Sequence, residues 1–161
     1  TDERITTADV QVTTQVGLSD TTELDFLLYV GGVDGRVKHS LIASDRWDLA
    51  VASGVGLFTT LQSNESSAYV PVDLVGGYRF SPDVSAYLGG KLEGELSLDS
   101  PGRGAGFDRT TLGLLGGGVV GVALESPSFS FYPQVTLMTP LATGASGTVV
   151  QISLGVGTIV K

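Results

Sequence analysis

The chain has 161 residues, 17 acidic against 9 basic, a formal charge of −8, and no cysteine. The length suits one domain over residues 1–161, the acidity argues against nucleic acid as a partner, and the missing thiol removes disulfides, thiolate metal sites and cysteine nucleophiles. Glycine at 23 residues with proline at only 6 excludes collagen and proline-rich disordered chains.

The opening segment TDERITTADV is charged and carries no apolar run, so it does not read as a signal peptide. From there a period of two governs the chain, the mark of β-strands with unlike faces. The first strand is expected over 8–18, with Val10, Val12, Val16 and Leu18 alternating against Asp9, Gln11, Thr13 and Gln15. After an SDTT turn, a second strand over 22–30 sets Leu24, Phe26 and Leu28 against Glu23, Asp25 and Tyr29. GGVDG at 31–35 reads as a turn, and a third strand over 35–43 sets Val37, His39 and Leu41 against Arg36, Lys38 and Ser40.

The fourth strand, 47–60, follows an SDR turn and has one large face (Trp47, Leu49, Val51, Val55, Leu57) and one small face (Ala50, Ala52, Gly54, Gly56). A fifth is expected over 67–78, and FSPD turns the chain into a sixth at 84–98, VSAYLGGKLEGELSL. Its faces are Leu88, Leu92, Leu96 and Leu98 against Tyr87, Lys91, Glu93 and Glu95. DSPGRGAGFD at 99–108 is the longest loop. Strands over 109–124, 128–139 and 148–160 complete nine candidates, with no helix-period pattern competing.

Such strands fit two architectures. A soluble sandwich or barrel buries the apolar face; a transmembrane barrel turns that face to lipid and the other to its lumen. Strands of this length suit a tilted crossing, which needs roughly 9 to 11 residues. The apolar face is almost unbroken Val, Leu, Ile and Phe, while the opposite face is small and weakly polar. A Gly-studded wet face would weaken a sheet, whereas Gly inside a narrow barrel makes room for the side chains opposite. The fold expected is therefore all-β: an antiparallel up-and-down transmembrane β-barrel of 8 to 10 strands. The soluble β-sandwich or β-barrel binding or adhesion module is the alternative.

The charges fall on the inward face. Asp25 is expected near Arg36, Glu23 near Lys38 and Asp73 near Lys91, because like faces of neighbouring strands bring them opposite one another. With Glu93, Glu95 and Asp48 they form a charged, acid-biased lumen network; cross-strand ion pairs also occur on ordinary wet sheets. Trp47, Phe58, Tyr69, Phe80, Phe107 and Phe131 are candidates for the membrane interfaces.

Residues 16–57, VGLSDTTELDFLLYVGGVDGRVKHSLIASDRWDLAVASGVGL, carry a resemblance. The run Gly17 to Leu24 and the segment YRFSPDVSAYLGG at 78–90 resemble the tight periplasmic turns of small porin-like bacterial outer-membrane β-barrels. The resemblance covers most of the chain and implies a bacterial outer-membrane location, outer-membrane lipid as partner and no particular active residue. Such barrels usually end in an aromatic residue, where this chain has Val160 and Lys161, and most have an even strand count with both termini periplasmic. Nine strands would instead start outside, which points to a missing strand, a merged pair, or closure by a homo-oligomer or a partner's edge strand.

Catalytic patterns are thin. His39 is the single histidine, which removes imidazole metal sites, and adjacent Ser40 points to the opposite face. Glu93 and Glu95 share a face at about 6 to 7 Å, a spacing for paired carboxylates that any charged strand face also offers. Asp99 and Asp108 lack the calcium-loop pattern, GRGAG at 102–106 lacks the phosphate-loop lysine, and Asn64 in NES only fits an acceptor pattern. No cofactor is expected and no enzyme. The expected role is a small passive channel for ions or solutes, its acidic lumen favouring cations, or a structural or binding barrel.

Overall fold

The computed structural model describes residues 4–60, 65–98, 111–127, 129–141 and 147–160. Nine strands follow in chain order: β1 (Arg4–Gly17), β2 (Thr22–Tyr29), β3 (Gly32–Ala43), β4 (Trp47–Thr60), β5 (Glu65–Ser81), β6 (Val84–Leu98), β7 (Thr111–Glu125), β8 (Ser130–Pro140) and β9 (Thr148–Val160). Each joins the next antiparallel, and β9 returns to β1, so the sheet is one closed barrel. The closing pair is parallel, from Arg4 opposite Thr148 to Val16 opposite Val160. That pair corrects the purely antiparallel expectation and answers the strand-count problem. An odd number of alternating strands brings the first and last into the same direction, and they bond to each other within the one chain.

Two rims follow from the topology. The connections after β1, β3, β5 and β7 are short turns at one mouth. Ser44 braces the second, accepting from the Trp47 amide at 3.0 Å and donating to its carbonyl at 2.9 Å, and Ser126 donates to the Phe129 carbonyl at 3.0 Å. The other mouth carries the β2–β3 hairpin and the remaining connections. That hairpin is shorter than GGVDG suggested. It turns on Val30 and Gly31 alone, with Gly31 at φ +89°, and Asp34 belongs to β3. A Cβ on Gly31 would also lie 2.7 Å from the Thr59 carbonyl oxygen. Asn64 and the segment containing Asp99, GRGAG, Phe107 and Asp108 lie outside the described residues.

Two prolines interrupt the ladders. Pairing of β4 with β5 skips from Ser53–Val72 to Gly56–Tyr69, around Pro71. Pairing of β7 with β8 skips from Gly121–Gln134 to Leu124–Phe131, around Pro133. A proline has no amide to give, so the ladder opens there while the register is kept.

The apolar face is the outside. Exposed Val, Leu, Ile or Phe side chains stud every strand, among them Val12, Phe26, Val37, Leu57, Leu74, Leu92, Val120, Leu137 and Ile152. Leu88 is 70% exposed and Leu112 77%. Among the described residues the buried apolar side chains are few: Ala50, Tyr69, Pro71, Ala123 and Met138. The chain is therefore neither a sandwich nor a barrel with a Leu/Val core. Trp47, Tyr78 and Phe80 form an aromatic ladder on the outer wall near the short-turn mouth, ring centroids 4.6 and 5.0 Å apart in edge contacts. Tyr69, expected at an interface, is instead inside.

Candidate functional site: the lumen

The alternation that puts Leu and Val outside puts the charges inside. Glu23, Asp25, Arg36, Lys38, Asp48, Asp73 and Lys91 all line one cavity of about 700 Å³. Glu93 joins them through Lys91, whose Nζ lies 3.3 Å from Oε2. Glu95 stands on the same β6 face, with Tyr69 and Gly113 as its register partners, and has no ion pair with a described residue.

The register expectations hold at the backbone: Glu23 faces Lys38, Asp25 faces Arg36 and Asp73 faces Lys91. The side chains follow only the first. Lys38 Nζ donates to Glu23 Oε1 at 2.5 Å. Arg36 passes over Asp25 and reaches Asp34 and Asp73 instead. Its Nε donates to the two Asp34 oxygens at 3.0 and 2.9 Å, and its Nη1 donates to Asp73 Oδ2 at 2.5 Å. Lys91 turns along its own strand to Glu93.

The reason lies on β4, the strand between Arg36 and Asp73. Opposite Arg36 stands Gly54, where a Cβ would collide with the Arg36 backbone and side chain. With no side chain there, the guanidinium lies across the β4 backbone and meets β5. A planar fork holding one carboxylate through two nitrogens and a second through a third is a geometry only arginine supplies.

Asp34, 1% exposed, is the centre of this knot and was hidden by the reading of GGVDG as a turn. Tyr69 Oη donates to its Oδ2 at 2.9 Å, and Tyr29 Oη lies 2.6 Å from Tyr69 Oη. The chain Tyr29–Tyr69–Asp34–Arg36–Asp73 therefore runs over the inner wall from β2 to β5. Pro71, Ser67 and Met138 are buried on the side of the longer connections.

The cavity lies on the other side of this knot. It is lined from the short-turn rim (Gly17, Asp48, Arg79, Glu125) inward to Arg36, Asp73, Lys91 and Gln151. It has two unlike walls. Glu23, Asp25, Lys38 and Asp48 charge the β2–β4 wall, while Gln11, Gln15, Gln134, Thr136 and Gln151 make an uncharged wall of amides and hydroxyls. Tyr87 and Tyr132 add rings, and Tyr87 Oη donates to Gln134 Oε1 at 3.0 Å. Two carboxylate oxygens of this wall are buried without a hydrogen-bond partner, Asp25 Oδ1 and Asp73 Oδ1.

Each tyrosine of the lumen lies against a glycine on the neighbouring strand. The register pairs are Tyr29–Gly32, Tyr69–Gly56, Tyr87–Gly121 and Tyr132–Gly155. A Cβ on Gly32, Gly56 or Gly121 would strike the facing ring. The small inward face is thus space for rings, as its sequence suggested. His39 is on the exposed outer wall, its Nδ1 3.0 Å from Thr22 Oγ1, and Ser40 lines the cavity on the inner side. No group of three or more His, Asp or Glu side chains with metal-binding geometry occurs among the described residues. Comparison with family models, with characterised proteins and with solved structures finds no match.

Proposed function

We propose that this chain is a bacterial outer-membrane β-barrel of the structural or binding kind, non-enzymatic, with lipid around its wall and a charged, acid-biased lumen. One observation carries the reading: apolar side chains are exposed on the outer face of all nine strands while the charged network lies within. In water this arrangement would leave an apolar belt unburied, and soluble monomers rarely carry large contiguous apolar patches. In a bilayer the same belt is solvated, and a closed barrel has no free sheet edge toward lipid. Strands of 11 to 17 residues in seven of the eight elements after β1 meet or exceed the roughly 9 to 11 that a tilted crossing needs. Trp47, Tyr78 and Phe80 suit a headgroup-level anchor at the short-turn rim.

The experiment is extraction from a bacterial envelope, followed by electrophoresis of unheated and boiled samples. Release only by detergent, with a mobility shift on boiling, is the expected result. Release in plain buffer overturns the reading.

A passive channel is the second reading, favoured by the polar lining that runs inward from one mouth. On that reading the knot around Arg36 is a closed constriction, and the acid excess gives cation preference when it opens. Reversal potentials in a salt gradient check it, and anion preference would sink it.

A further inference from the structure

We infer that the lumen cavity is a cup that binds a small organic cation carrying a primary ammonium, with Asp25 as its counter-ion. The inference rests on the closed barrel and the cavity, and holds whether the outer wall meets lipid or not.

The cup runs inward from the short-turn rim to the Tyr29–Tyr69–Asp34–Arg36–Asp73 chain on the β2–β5 wall. Its volume of about 700 Å³ falls in the roughly 300–1,000 Å³ range of small-molecule sites. The charge sign follows from which groups are already used. Arg36 is held by Asp34 and Asp73, Lys38 by Glu23 and Lys91 by Glu93. Asp25 is left over. It is 8% exposed, lines the cup, and its Oδ1 has no hydrogen-bond partner. Of its two register partners, Arg36 has turned away and Gln15 offers only a neutral amide, and Lys38, one step along, is bonded to Glu23.

A buried carboxylate oxygen without a donor is costly, and a charged donor relieves that cost most fully. An anion would meet Asp25 and Asp73, and among the described residues the cations deeper than the rim, Arg36, Lys38 and Lys91, are all paired, leaving only Arg79 at the mouth without an ion pair. An ammonium also finds the rings of Tyr87 and Tyr132, which attract cations to their faces. The amides of Gln134 and Gln151, on β8 and β9, serve the polar remainder of the molecule. At the rim Asp48 and Glu125 outnumber Arg79, which draws a cation inward.

The test titrates the purified full chain, in whatever medium keeps it folded, with putrescine by calorimetry at fixed ionic strength. Saturable binding is expected, weakened roughly tenfold or more by Asp25→Asn and unchanged by His39→Gln, which lies on the outer wall. The heat-dependent gel shift confirms that Asp25→Asn remains folded. Should it not fold, the native chain labelled at tyrosine carries the test. Bound putrescine methylenes should show magnetisation transfer from Tyr87 and Tyr132 and none from Tyr78 on the outer wall. No saturation with putrescine, equal affinity in Asp25→Asn, equal binding of sucrose, or no transfer from the two inner rings overturns the inference. Detergent-free release of the protein would overturn the membrane reading alone.

Discussion

The ring of Tyr69 on β5 occupies the space where Gly56, its register partner on β4, has no side chain. The pairing places the Tyr69 hydroxyl 2.9 Å from buried Asp34. One missing methyl group thus aims a hydrogen bond at the centre of the lumen.

Gly56→Val should therefore evict the ring and strip Asp34 of that donor. The expected cost is about 2 to 3 kcal/mol, the overpacking and the lost hydrogen bond together. It reads as a lower temperature for the shift between unheated and boiled gel forms. Gly94→Val is the control, because a Cβ there meets nothing within 4 Å.

Arg36→Met leaves Asp34 and Asp73 facing each other without a cation. Removing one partner of a buried ionic group costs about 3 to 5 kcal/mol. Adding Asp34→Asn and Asp73→Asn to Arg36→Met should recover most of it. Urea unfolding followed by far-ultraviolet circular dichroism measures both, and no recovery in the triple variant would show that Arg36 acts through packing alone.

The Lys38–Glu23 bridge offers a contrast. Its side chains are 37% and 31% exposed, nearer the open mouth, so solvent screens the pair. Glu23→Gln should cost about 1 kcal/mol or less in the same urea experiment, and less still in high salt.

Trp47 is the single tryptophan, 62% exposed on the outer wall in contact with Tyr78. In vesicles made with brominated lipid its emission should be quenched, most strongly when the bromines sit near the headgroups. Quenching by aqueous acrylamide instead, with no effect of bromine, would place the wall in water.

Leu92 stands mid-way along β6 on the exposed face. Leu92→Arg should cost about 2 to 4 kcal/mol of folding in a bilayer, as arginine does at the hydrocarbon midplane. On a wall surrounded by water the same change costs nothing, so refolding yield into vesicles separates the two environments.

Much of this architecture is written in the period of two. All nine strands were legible because each keeps unlike faces over eight or more residues, and the Gly-rich small face betrayed the crowded interior. Glu23 and Lys38 were legible because directly opposed side chains meet. Arg36 was not, because its reach depends on what a third strand lacks. Gly54 was visible in the sequence, but its meaning needs the register of β3 with β4 and of β4 with β5 together. Asp34 was lost to a hairpin that closes on two residues rather than five. The parallel closure was also out of reach, since local alternation carries no information about which strand meets which across 144 residues of chain, the separation of Arg4 from Thr148.

That parallel seam also sorts the two ends of the sheet to opposite mouths. β1 begins beside the start of β9, at the mouth of the longer connections, and both strands run to the short-turn mouth. Arg4 therefore stands at one mouth of the barrel and Val160 at the other. Cargo fused beyond each of these strand ends would stand at opposite mouths of the barrel. A circular permutant joining the ends directly would have to thread its linker along the barrel, inside or out.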